Sequence, residues 1–154
     1  ITKMQSQVVE PNGLATPPER KPRPAHLLFA CGDVCEHRFF GKCVVVGWDL
    51  SCEMGEGWIR SNKIRETLKF GTEQPFYHVL LADNDVPRYC SQENLALLDE
   101  GARFAHTHAP FYFRSDHPPG PFASPTAFVP SEALAFVYHE DGAHARGERN
   151  YRTL

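Results

Sequence analysis

Short apolar runs broken by turn residues dominate the middle of the chain. Phe29–His37 (FACGDVCEH) alternates in part and predicts a strand. Phe39-Phe40-Gly41-Lys42 interrupts it as a turn, with Gly41 able to take a positive φ. Cys43–Trp48 (CVVVGW) is apolar and rich in β-branched residues, so it predicts a buried strand. The two segments together predict a hairpin. Phe76–Leu81 (FYHVLL) is the clearest strand, with Phe76, His78 and Leu80 on one face and Tyr77, Val79 and Leu81 on the other. Asp83-Asn84-Asp85 predicts a turn. Val86 to Cys90 returns as the next strand, with Pro87 at its start or on an edge. Gln92-Glu93-Asn94-Leu95 follows, then Ala96-Leu97-Leu98.

Two stretches lack a period. Residues 49–74 contain Gly55, Gly57 and Gly71 and read as one long loop, a length that is uncommon inside a compact domain unless it has a function. After Gly101 the chain is irregular and rich in His, Phe and Pro. A helix near 131–140 ends this stretch. Ser131 caps it, Glu132 sits in its first turn, and Leu134, Val137 and Tyr138 form one apolar face. Asp141-Gly142 stops it. No internal repeat is present.

Composition divides this pattern into three parts. The chain has 154 residues, enough for one domain with residues to spare. Of its 13 prolines, only Pro75 and Pro87 lie between residues 28 and 105. The division expected is an extended N-terminal arm over 1–27, a folded core over 28–100, and a proline- and aromatic-rich extension over 101–154. The arm carries Glu19, Arg20, Lys21 and Arg23 among its prolines and reads as polyproline-like. Composition alone fits a disordered tail. A docked arm is the expectation preferred, because proline-extended segments lose less entropy on docking. The extension's Phe104, Phe111, Tyr112, Phe113 and Phe122 must cover either the core or another protein.

The core residues resemble a known family. Phe29, Gly32-Asp33-Val34, His37, Phe40-Gly41 and Val44-Val45-Val46-Gly47-Trp48-Asp49 are similar to the opening hairpin of the YccV-like, hemimethylated-DNA-binding (heat-shock protein Q) family. Gln74–Leu80 resembles its central strand, and Arg88-Tyr89 with Gln92-Glu93-Asn94-Leu95 its closing segment. The resemblance covers about residues 28–98. Gly-Trp-Asp, the stretch with Cys52, Met54 and Trp58-Ile59-Arg60, and Gln-Glu-Asn-Leu suit the branch found at the carboxy-terminal end of a eukaryotic F-box protein. It implies a mainly β fold, a small, strongly bent antiparallel β-barrel, here with extended proline-rich arms and one short C-terminal helix. It further implies an adaptor or interaction module, as in members that feed clients to Clp-type proteases, and no enzyme.

Charge and chemistry narrow the expected function. Residues 31–100 carry seven cations and twelve anions. Duplex affinity comes largely from phosphate neutralisation, so nucleic acid is not the expected partner despite a local stripe of Arg60, Lys63, Arg65 and Lys69. No apolar run approaches the ~20 residues that span a bilayer, and no membrane insertion is expected. Five cysteines fit thiols in a reducing intracellular compartment, with a mitochondrion or plastid among the candidates; two bridges and one thiol give the same count. Cys31, Cys35 and His37 share a strand face but do not make a four-ligand zinc set, so no metal or cofactor is expected. Cys52 with His78, and Asp49 with Glu53 or Glu56, lack the third group a catalytic constellation needs.

The residues expected to contact partners are Trp48, Asp49, Trp58, Arg60, Tyr89, Gln92, Glu93 and Asn94. Filling the core is the competing use for Trp48, and fastening the closing segment the competing use for Gln92, Glu93 and Asn94. The leading expectation is a non-catalytic accessory subunit docked by its arms into a larger protein assembly. The alternative is an adaptor that delivers clients to a Clp-type protease or ubiquitin ligase.

Overall fold

A computed structural model describes residues 19–98, 104–114 and 128–142. The first eighteen arm residues and the proline-aromatic run over 115–127, with Phe122, lie outside the described residues. Five strands, β1 (Val34–His37), β2 (Gly41–Asp49), β3 (Phe76–Leu81), β4 (Asn84–Ser91) and β5 (Leu95–Leu97), form one antiparallel sheet in the order β4-β3-β2-β1-β5. The mainly β class is as expected. Barrel closure is not: β4 and β5 are the two edges of the ladder and do not pair. Bulges at Val45/Gly47 and Val79/Leu81 shift the register within the sheet.

Each strand follows its side chains. The six residues of β3 are all buried, as are Cys43 to Asp49 of β2, so apolar runs here mark strands covered on both faces. β1 is shorter than expected because Ala30–Asp33 forms a turn. Asp33 Oδ2 accepts the Ala30 N–H at 2.8 Å and Gly32 takes φ +97°. Gly32 also allows a close backbone approach. A Cβ there would lie 2.1 Å from the Phe128 carbonyl oxygen, and the Phe128 N–H bonds to the Gly32 carbonyl at 2.8 Å. That contact fixes the C-terminal extension to the sheet. Phe104, Tyr112, Phe113 and Phe128 pack on the main core, while Phe111 stays exposed.

The expected long loop contains two short helices, α1 (Glu56–Ser61) and α2 (Ile64–Thr67). Ile59 and Ile64 pack on Phe76 in a small second core, with Cys52, Trp58, Leu68 and Tyr89 against it. Arg65 ties the helices together through a two-pronged bond to Glu56 at 2.9 and 2.6 Å. Helices this short show no hydrophobic period.

The C-terminal helix, α3 (Glu132–Val137), forms where its signals place it. Ser131 Oγ accepts the Leu134 N–H at 3.3 Å, and Leu134 and Tyr138 are buried. The helix ends at Val137 with Tyr138 as its cap, so the Asp141-Gly142 pair, expected to stop it, lies beyond its end, and Asp141 serves another purpose. Only 2% exposed, it accepts from Cys31 N at 2.8 Å, Trp48 Nε1 at 3.0 Å and Arg23 Nη1 at 2.8 Å. The described arm residues run along α3: Lys21 N–H bonds to Val137 O at 2.8 Å and Arg20 Nε to Phe136 O at 3.0 Å. Arm, sheet and last helix thus meet on one carboxylate.

All five cysteines are free, and burial raises the pKa of Cys31, Cys43 and Cys90, the last to about 12. Among the described residues no helix is long and apolar enough to cross a membrane.

Replacing Asp141 by Ala leaves the Arg23 charge, the Trp48 indole N–H and the Cys31 amide without their acceptor. We expect a loss of about 3–5 kcal/mol, read as a lower denaturant midpoint. Asp141→Asn, which keeps an acceptor, should lose less. A loss under about 1 kcal/mol for Asp141→Ala would contradict the clamp.

Candidate functional site

The ladder brings together residues that are distant in sequence. His78 on β3 faces Gly47 of β2 on one side and Tyr89 of β4 on the other, and Asp49 at the end of β2 faces Phe76. Asp49 is buried and accepts from Tyr89 Oη on Oδ2 and from Lys21 Nζ on Oδ1, both at 2.6 Å. His78 Nε2 lies 3.7 Å from Oδ2. Burial pushes the Asp49 carboxyl up, but the polar contacts from His78, Lys21 and Tyr89 outweigh it and hold the group below the usual carboxylate range. The Tyr89 hydroxyl shifts upward, first through burial and then because it donates to Asp49.

Lys21 reaches this site from the arm. Its ammonium also donates to the Trp48 carbonyl at 2.7 Å and lies 5.5 and 5.7 Å from the Trp48 and Tyr138 ring centres. Tyr89 Oη in turn accepts the Glu53 N–H at 3.2 Å, which places the chain entering α1. A relay therefore runs from arm to helix through Lys21, Asp49, Tyr89 and Glu53.

Above this floor opens a groove of about 500 Å³ between α1 and β4. Trp58 and Tyr89 form one corner, with ring centres 5.6 Å apart. Met54, Val86, Pro87 and Phe40 form the remaining walls. Phe40 is 48% and Val86 64% exposed, so the mouth presents apolar surface to solvent beside the exposed Glu53 and Arg88. Arg88 lies over the Phe40 ring at 5.0 Å.

Of the eight expected contact residues, the groove gathers Asp49, Trp58 and Tyr89. Trp48 is 1% exposed and belongs to the core. Arg60 is exposed on α1, 3.9 Å from Glu56, and does not line the groove. Gln92, Glu93 and Asn94 sit elsewhere and fasten the fold. Gln92 Oε1 accepts from Tyr77 Oη at 2.5 Å and Leu28 N at 3.1 Å. Glu93 accepts the Lys69 and Phe70 N–H groups at 3.1 and 3.0 Å and the Gln74 side-chain amide at 2.6 Å. The Asn94 carbonyl accepts from Arg38 N at 2.9 Å. Gln92 and Glu93 also line a second recess of about 440 Å³ with Arg38 and Phe70.

Sequence reasoning missed Phe40, Met54, Val86 and Arg88, and used His78 only as a possible partner of Cys52. The pairing of β4 with β3 sets His78 beside Tyr89, while Phe40 comes from the β1–β2 turn and Met54 from the chain before α1. The cationic stripe is broken up: Arg65 is bound to Glu56, and Lys69 lies over Phe70 at 5.4 Å. Among the described residues no group of three or more His, Cys, Asp or Glu is placed to hold a metal ion.

With this geometry, the relationship to known proteins is direct. The family model of the YccV-like, hemimethylated DNA-binding proteins matches residues 27–118, and the chain belongs to that family. It is similar to F-box only protein 21 of Mus musculus, with 35% identity over 114 residues that make up 73% of this chain and 17% of the relative. F-box only protein 21 of Homo sapiens is 34% identical over the same shares. The chain thus spans less than a fifth of the length of these curated relatives. No solved structure matches it.

A titrating group packs against Phe40, one of the residues at the groove mouth. His37 Nδ1 accepts the Phe39 and Phe40 N–H groups at 3.0 and 3.2 Å, and its ring stacks on Phe40 at 4.4 Å. Burial, and secondarily Arg38, lowers its pKa to about 4. A folded value below the unfolded ~6.5 means the stabilisation is complete above pH 6.5 and is lost as the pH falls toward 4. The denaturant midpoint should therefore drop between pH 7 and 4.5, with the protection of the Phe39 and Phe40 amides, relative to their intrinsic exchange rates, falling. A flat midpoint over that window, unaltered by His37→Gln, would contradict this.

Proposed function

We propose that the chain is a protein-interaction module acting as an adaptor, which holds a client segment in the α1–β4 groove. The observation that carries this reading is the convergence of Asp49, Trp58 and Tyr89 below an exposed rim of Phe40, Met54 and Val86. A concave site with aromatic walls standing over placed polar groups suits partner binding. Similarity to F-box only protein 21 supports ubiquitin-ligase-related machinery as the recipient, with a Clp-type protease as the other candidate. The accessory-subunit reading has less support, because Arg20, Lys21 and Arg23 bind this chain's own α3, Asp49 and Asp141. DNA binding is favoured by the family's description and opposed by the excess of anions over residues 31–100.

Native co-purification with the tagged chain separates these readings. The adaptor reading predicts sub-stoichiometric client and protease or ligase components. It also predicts that Trp58→Ala reduces client capture by roughly tenfold or more while the fold persists. A stoichiometric complex indifferent to Trp58→Ala would instead favour the subunit. A salt-dependent shift of a hemimethylated duplex at micromolar protein would restore DNA binding.

A further inference from the structure

The geometry points to strand addition: an extended segment of the client pairs its backbone with the open edge of β4 at Tyr89 and sets an apolar side chain into the groove. This deepens the adaptor reading and rests on it. Backbone groups of a strand face its two neighbours alternately, so one bond fixes the rest. Gln92 N–H bonds to Pro75 O at 2.9 Å, which turns the Cys90 and Arg88 backbone toward Tyr77 and Val79 of β3. The count from the far end of β3 agrees. Ala82 N–H bonds to Lys42 O at 3.1 Å, so Leu80, His78 and Phe76 face β2, and Val79 and Tyr77 face β4. Tyr89 lies between Arg88 and Cys90 and turns its N–H and C=O outward. Among the described residues no hydrogen bond reaches either group.

The sheet is open only at this place. β5, the other edge, is three residues long and buried throughout. Toward the start of β4, the Val86 N–H is taken by Asn84 Oδ1 and the Asn84 carbonyl by His106 Nε2, both at 2.9 Å, and Pro87 has no N–H. Beyond Tyr89, Ser91 is 3% exposed and the chain leaves the strand at Gln92. The free stretch is thus too short for the eight-residue β4 of a second copy and suits a few residues of an extended segment. A helical ligand has its backbone groups paired internally and gains nothing from this edge. The added residue opposite Tyr89 shares its face. On that face Tyr89 meets Trp58, with Met54 in the same lining, so an apolar side chain is favoured there.

Protein-observed NMR on the full chain tests this with acetyl-Thr-Thr-Leu-Thr-Thr-amide as the probe. In the free chain the Tyr89 amide should exchange roughly tenfold or more faster, relative to its intrinsic rate, than the Arg88 and Cys90 amides. Saturating peptide should slow it by roughly tenfold or more and shift the Trp58 indole N–H. N-methylating the three central peptide nitrogens in turn should weaken binding roughly tenfold at alternate positions only, those whose N–H faces β4. A free-chain Tyr89 amide as protected as Arg88 and Cys90 would overturn strand addition. Protection that grows with protein concentration in the absence of peptide, the mark of a second copy, would overturn it too. If the peptide shifts Trp58 but neighbouring nitrogens are equally sensitive, or Tyr89 exchange is unchanged, side chains alone hold the occupant. Strand addition is then wrong and the groove stands as a docking site. If the peptide moves neither Trp58 nor Tyr89, strand addition is overturned, and client capture with Trp58→Ala judges the groove separately.

Discussion

The closure of the chain across its ends depends on the buried Asp141 carboxylate. Asp141 takes donors from the arm, from the turn before β1 and from the Trp48 indole, which are 118, 110 and 93 residues away along the chain. A buried ion pair gains little over an apolar substitute, but either half alone is costly. Arg23 and Asp141 are 6% and 2% exposed, so neither can be satisfied by water if the other leaves. That reciprocity closes the molecule across its ends. It also extends the folded unit beyond the 27–118 region that defines the family, since Arg23 lies before that region and Asp141 after it.

A second carboxylate connects this frame to the groove. Asp49 holds the arm through Lys21 on one oxygen and the groove wall through Tyr89 on the other. Tyr89 stacks on Phe76 at 5.2 Å and meets Trp58 edge-on, so its orientation fixes both the small second core and the binding surface. The arm that looked like an outward tether is therefore, over its described residues, part of the support for the site.

How much the sequence disclosed depends on how local each signal is. β3 is read to the residue because six consecutive buried side chains stand between Pro75 and the turn signal that begins at Asp83. α3 is read because Ser131, Glu132 and the Leu134/Tyr138 face act within two turns. Over Phe29–Gly32 the alternation predicts a strand, but the Asp33 side chain turns the backbone there. α1 and α2 are too short to carry a period and depend on Phe76 for their stability. Asp141 reads locally as a stop signal, and its partners lie about a hundred residues away. The site was legible in part. Trp58 and Tyr89 stand out by type, whereas His78 and Val86 acquire meaning only through strand pairing. The Gln92 and Glu93 side chains reach back to Leu28, Lys69 and Phe70, contacts that no local signal carries.

The central claim is that arm, sheet and C-terminal helix form one cooperative unit. Native-state hydrogen exchange at the Lys21 amide, bonded to Val137, and at the Trp48 indole, bonded to Asp141, tests it most directly. The account predicts that both exchange only with the free energy of global unfolding, together with the amides of β3. Exchange of the Lys21 amide and the Trp48 indole orders of magnitude faster than β3, in a protein that remains folded, would contradict it.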